Sequence, residues 1–209
     1  MIRVILVTLG LIASTQAQAV DLTLLLGYQI NEDFEIEENA DIDSGSQNLG
    51  QPGDDLELEE GPAFGLAVDF VFNGNPDQRI GFFISHHETQ FDTGAGLSDR
   101  DMGVTHLHFT AMNYYPNGNW EPFVLAGVGA GHFSPVDKSL KNSTRLSGQI
   151  GGGTNYKLSE NLLIRLEARW IPTFFNGSSA GICSGGCTIA LKSDMYSQFQ
   201  ANVGLQFRF

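Results

Sequence analysis

Basic residues are scarce in this chain of 209 residues. Eleven lysines and arginines stand against 24 aspartates and glutamates, which gives a formal net charge of −13. A nucleic-acid-binding protein needs a basic surface that displaces counterions from phosphates, and docking on an anionic membrane surface needs a similar patch. The composition therefore argues against nucleic acid as a partner and against electrostatic docking on a membrane.

Long apolar runs are also rare, and the one that stands out covers residues 4–13. It is too short to cross a bilayer as a helix, which takes about 20 residues. Arg3 precedes the run, and Ala17 and Ala19 follow it as an A-x-A pattern. We therefore predict a cleaved signal peptide at residues 1–19 and one mature domain at residues 20–209. Loss of Arg3 would bring the mature net charge to about −14.

Cysteine occurs only twice, at Cys183 and Cys187. Two thiols would supply only half of a tetrahedral zinc site. A protein exported through an oxidising compartment forms disulfides. We therefore predict a disulfide that constrains the tip of a loop, and we predict no cofactor.

No segment of the predicted mature chain keeps a helical period, whereas nearly every segment alternates apolar and polar residues with a period of two. In residues 195–209, Phe199 and Val203 share one face and Gln200 and Gln206 share the other. Strands in soluble sheets have about five or six residues. Alternation over the whole of residues 195–209 therefore indicates an unusually long strand.

The same alternation predicts eight strands. The fifth of them is rich in glycine, so its two faces cannot be assigned from the sequence. The eight strands cover residues 20–36, 57–73, 79–92, 101–115, 120–134, 143–158, 162–175 and 193–209. Short turns rich in Gly, Asn and Pro alternate with longer links, the pattern of a membrane barrel. A sheet immersed in lipid must close, because an open edge leaves unpaired backbone groups in hydrocarbon. The predicted fold class is all-β: an eight-stranded antiparallel up-and-down transmembrane β-barrel.

The orientation of the barrel wall separates this prediction from a soluble alternative. A lipocalin-like barrel has apolar side chains inside, whereas a membrane barrel has them outside. Aromatic residues such as Tyr114 and Trp120 lie near the short turns, and others such as Phe133 and Trp170 lie near the long links. Two such bands are typical of membrane interfaces. We therefore expect apolar residues outside and polar residues inside.

The C-terminal segment carries the most specific resemblance. Alternating Val203, Leu205, Phe207 and Phe209, with Phe at the terminus, resembles the signal read by the barrel-assembly machinery. The chain is similar over residues 20–209 to the small outer-membrane β-barrel family, of the type of the OmpA barrel domain and OmpX. That resemblance implies residence in the outer membrane of a Gram-negative bacterium, in contact with lipid and lipopolysaccharide. It implies no particular activity.

Two sets of inward residues are candidate sites. A symmetric turn at residues 159–161 would bring Glu167 and Arg169 opposite the glycines at 151–153. We predict a lumen charge network, because buried charges must pair. Its members are Asp69, Arg165, Glu167, Arg169 and Arg208.

The second set consists of histidines. A symmetric link at residues 93–100 would place His87 across from His106, with His108 one step along. Three close imidazoles can bind a transition metal or respond to pH. The alternative is polar filling of the lumen, and we predict no metal on this basis.

Catalytic motifs are absent from the sequence. Some eight-stranded outer-membrane barrels modify lipid A with serine and histidine, but the segment 85–89 lacks the expected His-x-Ser pair, so we assign no catalytic residue. The acidic segment 32–60 lacks the closing glutamate of a calcium loop. The leading interpretation is a structural or surface-interaction scaffold that displays its loops to an unknown extracellular ligand. A narrow gated pore and a lipid A-modifying enzyme are the alternatives.

Overall fold

The computed structural model describes residues 19–31, 34–35, 55–58, 60–92, 100–136, 142–174 and 195–209. Over these ranges no helix is long and apolar enough to cross a membrane. The secondary structure of the described residues consists of strands β1 Val20–Asn31, β2 Phe34–Glu35, β3 Asp55–Leu58, β4 Gly61–Phe72, β5 Asn75–Asp92, β6 Arg100–Tyr114, β7 Trp120–Pro135, β8 Ser143–Lys157, β9 Leu162–Phe174 and β10 Met195–Arg208.

The eight long strands of the described chain close into a barrel. Their order around the wall is β1, β4, β5, β6, β7, β8, β9 and β10, and β10 returns to β1. All neighbouring pairs are antiparallel. The short strands β2 and β3 pair with each other, and β3 pairs with the far end of β5. The predicted up-and-down antiparallel barrel is confirmed.

The strands are staggered around the barrel. Register followed once around the wall from Asp21 returns to β1 at Asn31, ten residues further along the chain. A closed sheet with such a stagger has strands tilted by roughly 40° from the barrel axis. Cross-strand rows therefore climb toward one end of the barrel as they pass from strand to strand.

The short turns lie at one end of the barrel. Asn73 and Gly74 have φ of 55° and 72°, as a two-residue hairpin turn requires. The first and last residues of the barrel wall also meet at this end, where the amide of Phe209 donates to the carbonyl of Val20 at 2.9 Å. The prediction started the third strand at residue 79. The strand begins at Asn75 instead, because a register irregularity lets it pair beside the turn.

The barrel wall has apolar side chains outside and polar side chains inside. Large hydrophobic residues such as Leu26, Phe64 and Val128 are more than half exposed. Arg165 and His106 are fully buried in the lumen. The expected orientation is confirmed, and the soluble lipocalin-like alternative is wrong, because its polarity would be reversed.

Two aromatic residues depart from the predicted interfacial bands. Tyr114 and Phe133 are 4% and 7% exposed and point inward. Trp120, by contrast, lies on the outer face near the short turns, with its ring 4.8 Å from that of Tyr156. Tyr114 and Phe133 occupy the inward positions of β6 and β7, so strand parity rather than proximity to a strand end decides which aromatic residues can meet lipid.

Glycines on β7 allow large side chains on β6 to lie against the wall. Gly129 is the register partner of His108, and Gly131 is that of His106. A Cβ atom at Gly129 would overlap the carbonyl oxygen of Leu107 and come within 2.7 Å of the Cα of His108. Close approach of the two backbones therefore requires glycine at this position.

We expect Gly129→Ala to lower the free energy of unfolding by about 1–3 kcal/mol, because the added methyl group must push the two strands apart. The measurement is urea unfolding of the protein folded in lipid vesicles. Gly148→Ala is the matched control, since its Cβ would meet only ordinary contacts at 3.7 and 3.8 Å. Equal stability of the two variants would contradict the steric argument.

Candidate functional site

The middle of the lumen contains ion pairs centred on Glu167. Its Oε2 accepts from Nε of Arg165 at 2.8 Å, and its Oε1 accepts from Nε of Arg169 at 2.5 Å. The side-chain amide of Asn202 donates to Oε1 at 3.1 Å. One carboxylate is thus shared by two buried guanidinium groups.

Further contacts fix both arginines. Arg165 reaches Asp69 at 3.5 Å, and its guanidinium lies 4.4 Å from the centre of the Phe123 ring. Arg169 donates to Oε1 of Gln149 at 2.7 Å and lies 3.7 Å from the centre of the Phe83 ring. We call Asp69, Arg165, Glu167 and Arg169 the central ion-pair layer.

Glycines on β8 make room for this layer. The register pairs Gly153 with Glu167 and Gly151 with Arg169, which agrees with the symmetric turn expected at residues 159–161. A Cβ at Gly153 would lie 2.8 Å from the Cα of Glu167. Large charged side chains on β9 therefore face a strand that has no side chains at the same height.

A second ion-pair layer lies nearer the short turns and includes Arg208. Its guanidinium contacts Asp21 at 3.1 Å and Glu121 at 3.0 Å. Lys157 also contacts Glu121, at 2.9 Å, and Arg79 contacts Asp21 at 3.4 Å. We call this set the lower ion-pair layer. The structure thus separates Arg208 from the other four residues of the predicted network.

Sequence reasoning missed the acidic partners of the lower layer. Asp21 has the same parity as Thr23 and Gln29, so extending that alternation back to the start of β1 would have found it. Glu121 lies on β7, where the apolar and polar faces could not be assigned from the sequence. Its inward neighbours Phe123 and Leu125 are apolar, which hides the usual alternation.

The three inward histidines form a stack. Ring centroids of His87 and His106 are 6.2 Å apart, and those of His106 and His108 are 5.6 Å apart, with ring planes within 12° of parallel. The expected pairing of His87 with His106 is wrong: Ser85 pairs with His106, and His87 pairs with Val104. The observed pairing lies two residues from the expected register, because Arg100, which the prediction placed in the link, is the first residue of β6 and pairs with Phe91.

The flat faces of the imidazole rings, rather than their nitrogen atoms, are turned toward one another. Nε2 of His108 lies 2.5 Å from Oγ of Ser147. Among the described residues, no group of three or more histidine, cysteine, aspartate or glutamate side chains is arranged to hold a metal ion. The geometry of the stack is therefore that of packed rings, with no convergent set of nitrogen ligands.

The segment at residues 85–89 divides between the two faces of the wall. Ser85 and His87 point inward, whereas His86 points outward and its Nδ1 lies 2.9 Å from the hydroxyl of Thr105. The Ser147–His108 pair has the distance of a nucleophile and its base. However, Nδ1 of His108 has no partner among the described residues, so this pair lacks a third group that would orient the ring.

Other predicted residues fall into two groups. Cys183, Cys187 and most of the acidic segment lie outside the described residues. Val203, Leu205 and Phe209 are exposed on the outer face of the C-terminal segment, and Phe207 is half-buried. Their part in assembly stays a prediction.

Comparison with solved structures finds the same architecture in outer-membrane proteins. Neisserial surface protein A (NspA) has a TM-score of 0.53 at 12% identity, covering 93% of this chain and 98% of that one. The outer membrane protein OprG from Pseudomonas aeruginosa gives 0.54 at 14%, covering 93% and 97%. Outer membrane protein AlkL gives 0.53 at 15%, covering 94% and 93%.

The chain has the fold of the small outer-membrane β-barrels. No family model matches the sequence, and no curated protein is similar to it in sequence. At this level of identity, the small outer-membrane barrel fold is what these structures share with the chain, and its activity must be argued from its own residues.

We expect Glu167→Gln to lower the free energy of unfolding by about 3–5 kcal/mol, because it leaves two buried guanidinium groups without their shared carboxylate. The measurement is unfolding in lipid vesicles by urea. Glu160→Gln, at an exposed turn residue, is the matched control and should change stability by less than about 0.5 kcal/mol. Equal losses in the two variants would show that the central ion-pair layer does not stabilise the barrel.

Proposed function

We propose that this protein resides in the outer membrane of a Gram-negative bacterium as a closed barrel that acts as a scaffold for its four longer links. The observation that carries the proposal is the pair of buried ion-pair layers in the lumen. They fill the tube with side chains bonded to one another. The wall then serves to hold the links in place at the cell surface.

The outer face of the wall supports the membrane location. Exposed aliphatic and aromatic side chains such as Leu26, Phe109 and Val128 cover it. Water would penalise such a surface, whereas acyl chains would solvate it. Lipid and lipopolysaccharide are therefore the proposed surroundings. Export through a cleaved signal peptide and insertion by the barrel-assembly machinery complete the proposal.

The lumen contacts favour a scaffold over a pore. An eight-stranded barrel is just wide enough for side chains to fill it. A conducting path would have to part Glu167 from both Arg165 and Arg169, and each separated charge would lose its partner in a poorly solvated interior. A gated pore is thus the costlier use of this interior.

We expect Val128→Lys to destabilise the folded barrel in vesicles by about 2–4 kcal/mol, because it places a charge against acyl chains near the middle of the wall. Asn117→Lys, in an exposed short turn, is the control and should fold as the unmodified protein does. Unfolding from lipid vesicles gives both values. A mature chain that stayed monomeric and soluble without detergent would contradict the membrane location.

Closure of the lumen and display of the longer links can be tested separately. Recordings from the purified protein in planar bilayers should show no discrete openings, because the ion-pair layers close the lumen. Replacing each longer link by a short Gly-Ser segment should leave the barrel folded and reduce cell binding or serum survival for at least one link. Reproducible openings would favour the pore, and intact phenotypes for all four replacements would contradict surface display.

A further inference from the structure

A groove lies on the outer face of the barrel and is centred on β9. Its cavity volume is about 320 Å³, at the lower end of the range for pockets that hold small ligands, roughly 300–1,000 Å³. We call it the β9 groove. The side chains that line it from the outer face are aliphatic or aromatic: Ile30, Ile150, Ala168, Trp170, Phe199 and Ala201.

The strand register explains why the wall is recessed here. Ala168 on β9 and Ala201 on β10 are direct register partners and form the floor of the groove. On the short-turn side, Leu166 pairs with Val203 next to the two alanines. On the long-link side, four large residues are successive register partners from β8 to β1: Ile150, Trp170, Phe199 and Ile30. Small side chains between two rows of large ones leave a depression in the outer surface.

The backbone pairing of β8 with β9 is interrupted beside the groove, on its long-link side. Register pairs stop after Ile150 with Trp170 and resume only at Ser147 with Thr173. Pro172 lies in this gap, and proline has no N–H group to donate. Proline is normally confined to edge strands or bulges, because inside a sheet it removes a bond from the ladder.

The bond that Pro172 removes is the one to the carbonyl of Gly148. In this hairpin the amide of Leu158 donates to the carbonyl of Leu162, so even-numbered residues direct their backbone groups between the two strands. The register is the same on both sides of the gap, which aims the carbonyl of Gly148 at Pro172. Gly148 is half-buried. Hydrocarbon cannot replace the missing donor, because no water is present there to bond the carbonyl.

We propose that the β9 groove binds the acyl chain of a membrane lipid that carries a hydroxyl group near its headgroup, and that this hydroxyl donates to the carbonyl of Gly148. A hydroxyl is a donor that a chain can carry without a charge. Gly148 lies two residues beyond Ile150 toward the long links, so the polar end of the lipid points toward that end of the barrel. The inference rests on the membrane location proposed above and adds a specific lipid to it.

The carbonyl, rather than the apolar lining, selects the ligand. Lipid tails are as apolar as the side chains of the groove, so the hydrophobic effect gives no preference inside a bilayer. Fit to the groove adds dispersion contacts for any chain of suitable shape. Only a chain with a donor can also bond Gly148, and one hydrogen bond favours it about three- to tenfold.

The two tryptophans of the chain supply the test. Trp170 lines the groove, whereas Trp120 is exposed on the outer face near the short turns. The variant Trp120→Phe therefore reports on the groove, and Trp170→Phe reports on the wall away from it. Each is folded in phospholipid vesicles and titrated with a long-chain methyl ester that has a hydroxyl near its ester end and bromine on its chain. The same ester without the hydroxyl is the second probe. Bromine quenches indole fluorescence on contact.

Quenching of Trp170 should saturate, with half of the effect at an about three- to tenfold lower concentration of the hydroxylated ester. Trp120 should not distinguish the two esters. Equal curves for Trp170 in a folded barrel would overturn the groove proposal alone. Quenching of Trp170 that falls as the protein-to-lipid ratio rises would overturn it in favour of a second copy of the chain. A chain that fails to fold in vesicles, as judged by heat-dependent gel migration, would contradict the membrane location itself.

A variant of the proline tests the acceptor. In the Trp120→Phe background, Pro172→Ala restores a backbone N–H opposite Gly148, so β9 can bond the carbonyl itself. The chain should still bind, and the preference for the hydroxylated ester should disappear. A preference that survives in Pro172→Ala would show that the carbonyl of Gly148 is not the acceptor.

A pair of alanine variants tests the groove. Ala168→Leu should fill the floor and abolish saturable quenching of Trp170 by either ester. Ala126→Leu is the matched control, because Ala126 is also an exposed alanine whose register partner, Ala111, is an exposed alanine. It should leave both curves unchanged. Equal effects of the two variants would show that the chain does not lie in the β9 groove.

Discussion

Backbone closure between β10 and β1 is the constraint on which the rest of the molecule depends. The two strands pair from Asp21 with Arg208 to Asn31 with Gln198, so the sheet has no free edge along this seam. Hydrocarbon offers no partner to an open N–H or C=O group, and closure removes that cost. Closure with eight strands also fixes a narrow tube. The side chains that enter this tube must fit one another in size and charge.

The interior meets this requirement by placing large polar residues against glycine. Gly151 and Gly153 face Arg169 and Glu167, and Gly129 faces His108. Because each buried charge needs a partner, the arginines and carboxylates are linked into two layers that span several strands. Side chains distant in sequence, such as Asp21 and Arg208, thereby join the first and last strands of the barrel at the seam.

Alternation in the sequence predicts the strands and most of their faces because the side-chain period of a strand is two. It succeeds on β9 and β10, where bulky residues mark both faces. It fails on β7, where glycines and inward aromatic residues such as Phe123 and Phe133 remove the contrast. Which residues pair across neighbouring strands is harder to predict, because the pairing depends on the geometry of the link between the two strands. On β5 and β6, His87 therefore lies opposite Val104, two residues from the expected partner, whereas the turn before β9 gives the expected pairing.

The stagger of the strands has a consequence for the outer surface. His86, Thr105, His132 and Thr144 are successive register partners across β5 to β8, and each histidine bonds the threonine on the next strand. Since such rows climb around a tilted wall, this polar stripe rises obliquely toward the rim. The apolar part of the outer face therefore ends along a slope, and it extends closer to the long links beside Thr144 than beside His86. In a bilayer, lipids along that flank would have to shorten or splay to follow the slope, and the barrel would give the bilayer around it an uneven thickness.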